Sequence, residues 1–145
     1  MESCIYRTDP DWLSFVKQLP SDRTLNFWRR SRGMRIKKGA YVYFMPRETI
    51  YVAGRAMVFS HETKKLDAAW EIWREGNGAA SLNKLRAMIN NRHILNDRGE
   101  MSCLVLIKPE FINAKPLIPE SLNPTAQQSI RYFTDASWPE ISSYF

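Results

Sequence analysis

Cysteine and histidine are scarce in this 145-residue chain, with two of each: Cys4, Cys103, His61 and His93. Neither histidine sits in a metal-ligand motif, so a zinc site lacks ligands, and two cysteines are too few for a disulfide scaffold. Cys103 lies in the apolar run Met101–Ile107 and Cys4 in a short β-prone stretch, where a thiol packs as a small hydrophobe. His61 and His93 read as surface or turn residues. Long apolar runs are missing as well, since nothing approaches the roughly 18–20 residues that cross a bilayer. The first twelve residues carry Glu2, Asp9 and Asp11 and no apolar core, which is not the pattern of a secretory leader. The cytoplasm is therefore the expected compartment. Catalytic motifs are absent too: there is no Gly-x-Ser-x-Gly, no Walker loop and no dinucleotide fingerprint. No nucleophile, base and stabiliser can be matched to one another. The expectation is a protein that is not an enzyme, with no catalytic residues, no metal and no cofactor.

What is present fits one domain spanning residues 1–145, with 44% hydrophobic residues to fill a core. The net charge of +6 is unevenly spread. Residues 1–65 hold thirteen Lys/Arg against six Asp/Glu, while residues 66–145 hold eight against nine. Between Arg23 and Lys38 stand Arg23, Arg29, Arg30, Arg32, Arg35, Lys37 and Lys38 with no acid among them. Such a run repels itself unless anions neutralise it. It reads either as a solvated cationic loop or as a phosphate-contacting surface with salt-sensitive affinity. Its cations are not interleaved with an apolar face at helical spacing, so a membrane surface is not the expected partner.

The local pattern mixes strands and helices irregularly. Cys4–Arg7 is β-prone and ends at Thr8-Asp9-Pro10-Asp11, after which Trp12, Phe15, Val16 and Leu19 mark one helical face up to Pro20. Tyr41–Met45 and Ile50–Phe59 read as an antiparallel hairpin, with Gly54 allowing a bulge or close backbone approach. Leu66–Trp73 reads as a helix, Gly76-Asn77-Gly78 as a turn, and Ser81 as the cap of a helix bearing Leu82, Leu85, Met88 and Ile89. Met101–Ile107 is a central strand, Ala126–Phe133 a final helix, and Trp138–Phe145 a tail that packs back on the body. These elements predict an α+β fold: a small, strongly curved antiparallel or mixed β-barrel with helices packed around it.

Aromatics are plentiful, with five Trp, six Tyr and seven Phe. Most belong in a core, but Trp28 sits among cations in Asn26-Phe27-Trp28-Arg29-Arg30. Tyr41 and Tyr43 point to one face of their strand while Val42 and Phe44 point to the other. If the second pair faces the core, the tyrosines line an amphipathic surface or pocket. Aromatics beside basic residues stack nucleobases while cations hold the phosphates. A flipped base also needs hydrogen bonds to its edge, for which Asn26, Asp9 and backbone groups are candidates.

The order of these features resembles the PUA-like superfamily, and within it the EVE and YTH branches. The residues that carry the resemblance are Thr8-Asp9-Pro10-Asp11-Trp12, the Trp28 loop, Ile36-Lys37-Lys38-Gly39-Ala40-Tyr41-Val42-Tyr43-Phe44 and Ile50-Tyr51-Val52-Ala53-Gly54-Arg55-Ala56, within residues 3–110. Ala40 stands where those families have Asp. ASCH, another PUA-like branch, is set aside because its Gly-x-Lys-x-x-Glu-x-Arg signature is missing. The resemblance implies a reader of modified bases, for example methylated ones, that flips the base into an aromatic pocket. Carried over by position, the pocket draws on Thr8, Asp9, Asn26 and Trp28, on Tyr41, Tyr43 or Met45, and on Trp70 or Trp73. Flanking phosphates fall to Arg29, Arg30, Arg32, Arg35, Lys37 and Lys38. The implied partner is nucleic acid, DNA favoured over RNA, with the chain fused to or associated with a nuclease or NTPase in a restriction or defence system. The competing reading is a non-catalytic protein-interaction or regulatory domain whose basic loop meets an acidic partner.

Overall fold

The computed structural model describes residues 1–30, 34–124 and 128–145. Its first strand, β1 (Ser3–Thr8), is buried along nearly its whole length because it is covered on both edges and both faces. It pairs in parallel with β3 (Tyr41–Pro46), Cys4 opposite Val42 and Tyr6 opposite Phe44. On its other edge it pairs antiparallel with β6 (Ile130–Phe133), Ile5 opposite Arg131. The longest pairing joins β4 (Gly54–Lys65) to β5 (Glu100–Phe111), and β2 (Leu25–Arg29) adds to the far side of β5. The six-stranded mixed sheet runs β2-β5-β4-β3-β1-β6. The α+β expectation holds, and so does the hairpin of β3 and β4.

Alternation along β1 and β3 splits the interior in two. Cys4, Tyr6, Val42 and Phe44 belong to the main core with Trp12, Phe27 and Trp70, while Ile5, Tyr43 and Met45 belong to a second cluster under the C-terminal segment. Helix α1 (Pro10–Val16) starts at Asp9, whose carboxylate accepts from the Asp11 amide at 2.9 Å. Helices α2 (Leu66–Trp73) and α3 (Leu82–Asn91) follow the expected spans, with the Ser81 hydroxyl accepting from the Lys84 amide at 3.2 Å. At Gly54 an added Cβ would lie 2.6 Å from the Glu110 carbonyl oxygen, the close approach anticipated there. Register shifts between Arg55 and Met57 and between Val58 and Ser60 bend the β4–β5 ribbon.

Three expectations change. The basic segment is not all loop, because Leu25–Arg29 forms β2 against Leu106–Ser102 of β5. Of the last helix expected over Ala126–Phe133, Ala126 and Gln127 lie outside the described residues, and Ile130–Phe133 is a β-prone stretch that satisfies the outer edge of β1 as β6. The sheet is open and not a closed barrel, with β2 and β6 at its two ends. It nevertheless curls until the Tyr6 and Phe27 rings, on strands far apart in the sheet order, meet edge to face at 4.6 Å. The Tyr6 and Phe27 rings stand between β1 and β2, which share no ladder bonds.

The tail packs back as expected. Trp138 and Ile141 are buried in the second cluster, and Phe145 lies 4.4 Å from the Arg55 guanidinium, which stands 4.0 Å from the Tyr41 ring. Both cysteines are free and buried. Burial pushes both thiols up, that of Cys103 to about 11. An unfolded thiol ionises near about 8.5, so the unfolded chain releases protons that the folded chain retains. Stability is therefore full below that pH and falls as the pH climbs toward the folded value. Urea midpoints at pH 8 and about 9.5 should show a loss of about 1 kcal/mol per thiol, and Cys103→Ala should remove its share.

Candidate functional site

The seam between β1 and β2 opens into a cleft of about 560 Å³. The chain places it there through a short chain of local choices. Asp9 ends β1 and caps α1, which sets Thr8 and Asp9 at the mouth. Thr8 donates its hydroxyl to the Tyr6 carbonyl at 2.7 Å. The second Asp9 oxygen pairs with the Arg92 guanidinium, which also reaches Asp11 at 3.4 Å. Beyond α3, the turn at Arg92 and His93 (φ 52° at His93) turns its carbonyls toward Arg30. The Arg30 guanidinium donates to the His93 oxygen at 2.8 Å and the Arg92 oxygen at 3.1 Å. Arg30 is thus held by carbonyls, and its charge is not cancelled by a carboxylate there.

The floor is aromatic. Tyr6, Trp12, Phe27 and Trp28 line it, and the Arg29 guanidinium stands 5.4 Å from the Tyr6 ring centre. Burial pushes the Tyr6 phenol up while Arg29 pulls it the other way, so the hydroxyl stays neutral. Trp28 is 8% exposed and donates its Nε1 proton to the Asn77 carbonyl at 2.8 Å. It is part of the floor and not a freestanding wall. Behind it, the Asn26 amide donates to Asn77 Oδ1 at 2.8 Å, and the Asn77 amide donates to the Ala69 and Arg74 carbonyls at 3.0 and 2.9 Å. Asn77 is the peg that fixes the indole.

Arg7, Arg29, Arg30, Arg47 and Arg92 surround this cleft, against one carboxylate, Asp9, already engaged by Arg92. With Arg92 spent on Asp9 and Asp11, the four further arginines above an aromatic floor concentrate positive potential where low-dielectric walls focus it.

Of the residues predicted from sequence, the structure brings Thr8, Asp9, Trp28, Arg29 and Arg30 together here. It does not bring the others. Asn26 is fully buried and turned toward Asn77. Tyr41, Tyr43 and Met45 lie on the opposite face of β3, where the C-terminal segment and Arg55 cover them. Trp70 and Trp73 fill the main core under α2. Arg35 is tied to Glu2 by two hydrogen bonds of 3.0 and 3.1 Å, Lys38 sits 4.8 Å from the Phe59 ring, and Lys37 is exposed away from the cleft. Arg32 lies outside the described residues. Arg7, Arg47, Arg92 and Ser129 were not anticipated. Arg7 adjoins the Thr8-Asp9 motif and was within reach of a sequence argument, but the other three arrive only through tertiary folding.

Among the described residues, no three His, Cys, Asp or Glu side chains converge as metal ligands, and no helix is long and apolar enough to cross a membrane. No protein-family model matches the sequence, and no curated protein matches it significantly. The curled mixed sheet with flanking helices is nonetheless an ASCH-like fold. The ASCH protein from Zymomonas mobilis superimposes with a TM-score of 0.66 at 13% identity, over 97% of this chain and 94% of that one. Two single-substitution variants of the same protein give TM-scores of 0.66 and 0.58 at 12% and 14% identity. At such identities the likeness is one of fold. The likeness found is to ASCH, the branch set aside for its missing signature, and it does not extend to an EVE or YTH assignment.

Proposed function

We propose that this chain is a nucleic-acid-binding domain that seats one extruded base in the β1–β2 cleft and holds the adjoining phosphates on its arginines. The observation that carries the reading is the set of five arginines around one aromatic-floored cleft. The base lies against the Trp28 and Tyr6 floor beneath Arg29, where guanidinium planes and rings both stack on heterocycles. Arg30 and Arg47, both exposed, meet the backbone. A base altered by methylation is the ligand that the EVE- and YTH-like sequence features favour, with association to a nuclease or NTPase as its setting. The cleft binds without turnover on this reading, since its carboxylate is committed to Arg92.

The test is fluorescence anisotropy with short single-stranded DNA and RNA, each unmodified or carrying one central N6-methyladenine or 5-methylcytosine. Affinity should fall steeply with salt, with a log–log slope of about −0.7 per phosphate neutralised on a single strand. One modified strand should bind more tightly than its unmodified twin. Equal affinity for all of them would remove the modified-base reading and leave the nucleic-acid one. Absence of binding even at about 50 mM salt, where phosphate contacts are strongest, would overturn both and favour an acidic protein partner.

A further inference from the structure

A second cleft, of about 690 Å³, opens beside the first and shares Arg29 and Ser129 with it. Its remaining walls include Arg35, Arg131 and Tyr132, and among the described residues no acid lines it, although Glu2 pairs with Arg35. The Arg35 guanidinium lies 4.0 Å from the Tyr132 ring centre, and the Arg35 amide donates to the Tyr132 hydroxyl at 3.1 Å. Glu2 grips that guanidinium from the side through its two hydrogen bonds. Arg35 is therefore held in place before any ligand arrives. Arg131 stands exposed on β6, where pairing with Ile5 of β1 sets its position.

We propose that the second cleft takes the nucleotide next to the one seated in the first. The ligand is then a single strand that crosses Arg29 and Ser129 from one cleft to the other, not a mononucleotide. This inference rests on the nucleotide-binding reading of the first cleft. Two cavities of similar size with a shared cationic wall match successive units of one polymer. Arginines spaced along both follow a backbone as grooves for single strands do. A duplex that extrudes one base would have to unstack a second, neighbouring base as well to fill both clefts, so the strand enters unpaired.

The experiment compares a fluorescent 5′-mononucleotide with a fluorescent oligothymidylate of about eight nucleotides, a length within the span of single-strand sites. Parent, Arg131→Ala and Arg30→Ala are measured at several salt concentrations, with thermal melts to confirm folding. Because Arg131 is exposed, its removal leaves the core untouched. Arg131→Ala should weaken the oligomer roughly tenfold and make its salt slope shallower by about 0.7, while mononucleotide affinity stays at the parent value. If Arg131→Ala leaves oligomer binding unchanged while Arg30→Ala weakens it, the strand does not cross the second cleft and only this inference falls. Equal weakening of both ligands by Arg131→Ala would also overturn it, because the residue would then act on the first cleft. If the parent binds neither ligand, the reading of the first cleft fails and takes this one with it.

Discussion

Gly78→Ala should lower the unfolding free energy by about 3 kcal/mol or more, seen as a large drop in the urea midpoint. Gly78 holds φ at +91°, and a Cβ there would stand 2.2 Å from Trp12 Cδ1 and 2.7 Å from its Nε1. The left-handed backbone alone costs a side-chain-bearing residue about 1–2 kcal/mol. The overlap is worse, because the indole has nowhere to go: it donates to the Asn26 carbonyl at 3.2 Å and lies against Phe27 and Phe44. Forcing it aside adds about 1–3 kcal/mol of overpacking. Gly99→Ala separates the two contributions. Gly99 also has a positive φ, +73°, but nothing lies within 4 Å of its would-be Cβ. That variant should lose only about 1–2 kcal/mol. Equal losses for the two would show that the Trp12 contact is not what makes Gly78 necessary.

The Arg30→Ala/Arg47→Ala double variant should lose about a hundredfold in affinity for single-stranded nucleic acid while melting close to the parent. Each cation lost removes a charge-assisted contact of about 1.5 kcal/mol, roughly tenfold in affinity. Arg30 is exposed and, among the described residues, bonded only to the His93 and Arg92 carbonyls, which water can take over, and the Arg47 side chain is exposed. Neither truncation buries an unpaired group, so stability should change by less than about 0.5 kcal/mol. The salt slope should become shallower by about 1.4 for the two contacts together. An unchanged affinity would place the phosphates elsewhere on the chain.

Much of the framework was legible because local chemistry and tertiary context agree. Trp70 and Trp73 three apart, with Ser81 ahead of a periodic stripe, mark α2 and α3 without help from distant residues. The alternation of Tyr41 and Tyr43 against Val42 and Phe44 separated the two faces of β3. What covers the tyrosine face is the tail, some ninety residues later, and alternation carries no information about that. β2 was hidden for a related reason. The cations around Leu25-Asn26-Phe27-Trp28 dominate the local pattern, whereas the strand exists because Leu104–Leu106 offer it a hydrophobic edge from far along the chain. Gly76-Asn77-Gly78 read as a plain turn. Its necessity lies in the Thr24 oxygen, 2.3 Å from where a Gly76 Cβ would stand, in the Trp12 ring, and in the Asn26 amide that Asn77 receives. The candidate site was legible to the extent that it is local, as Thr8-Asp9 and Trp28-Arg29-Arg30 are. Arg47, Arg92 and Ser129 belong to it only once the sheet has curled.

The place of β6 has a consequence for biogenesis. Chains emerge from the ribosome amino end first, so β1 is out well before β6, one of its two neighbours in the sheet. Ser129, just before β6, belongs to the boundary of both cavities. A nascent polypeptide still short of that point presents its arginines on an unfinished surface. The boundary of both cavities is therefore completed only after β6 has emerged and docked on β1.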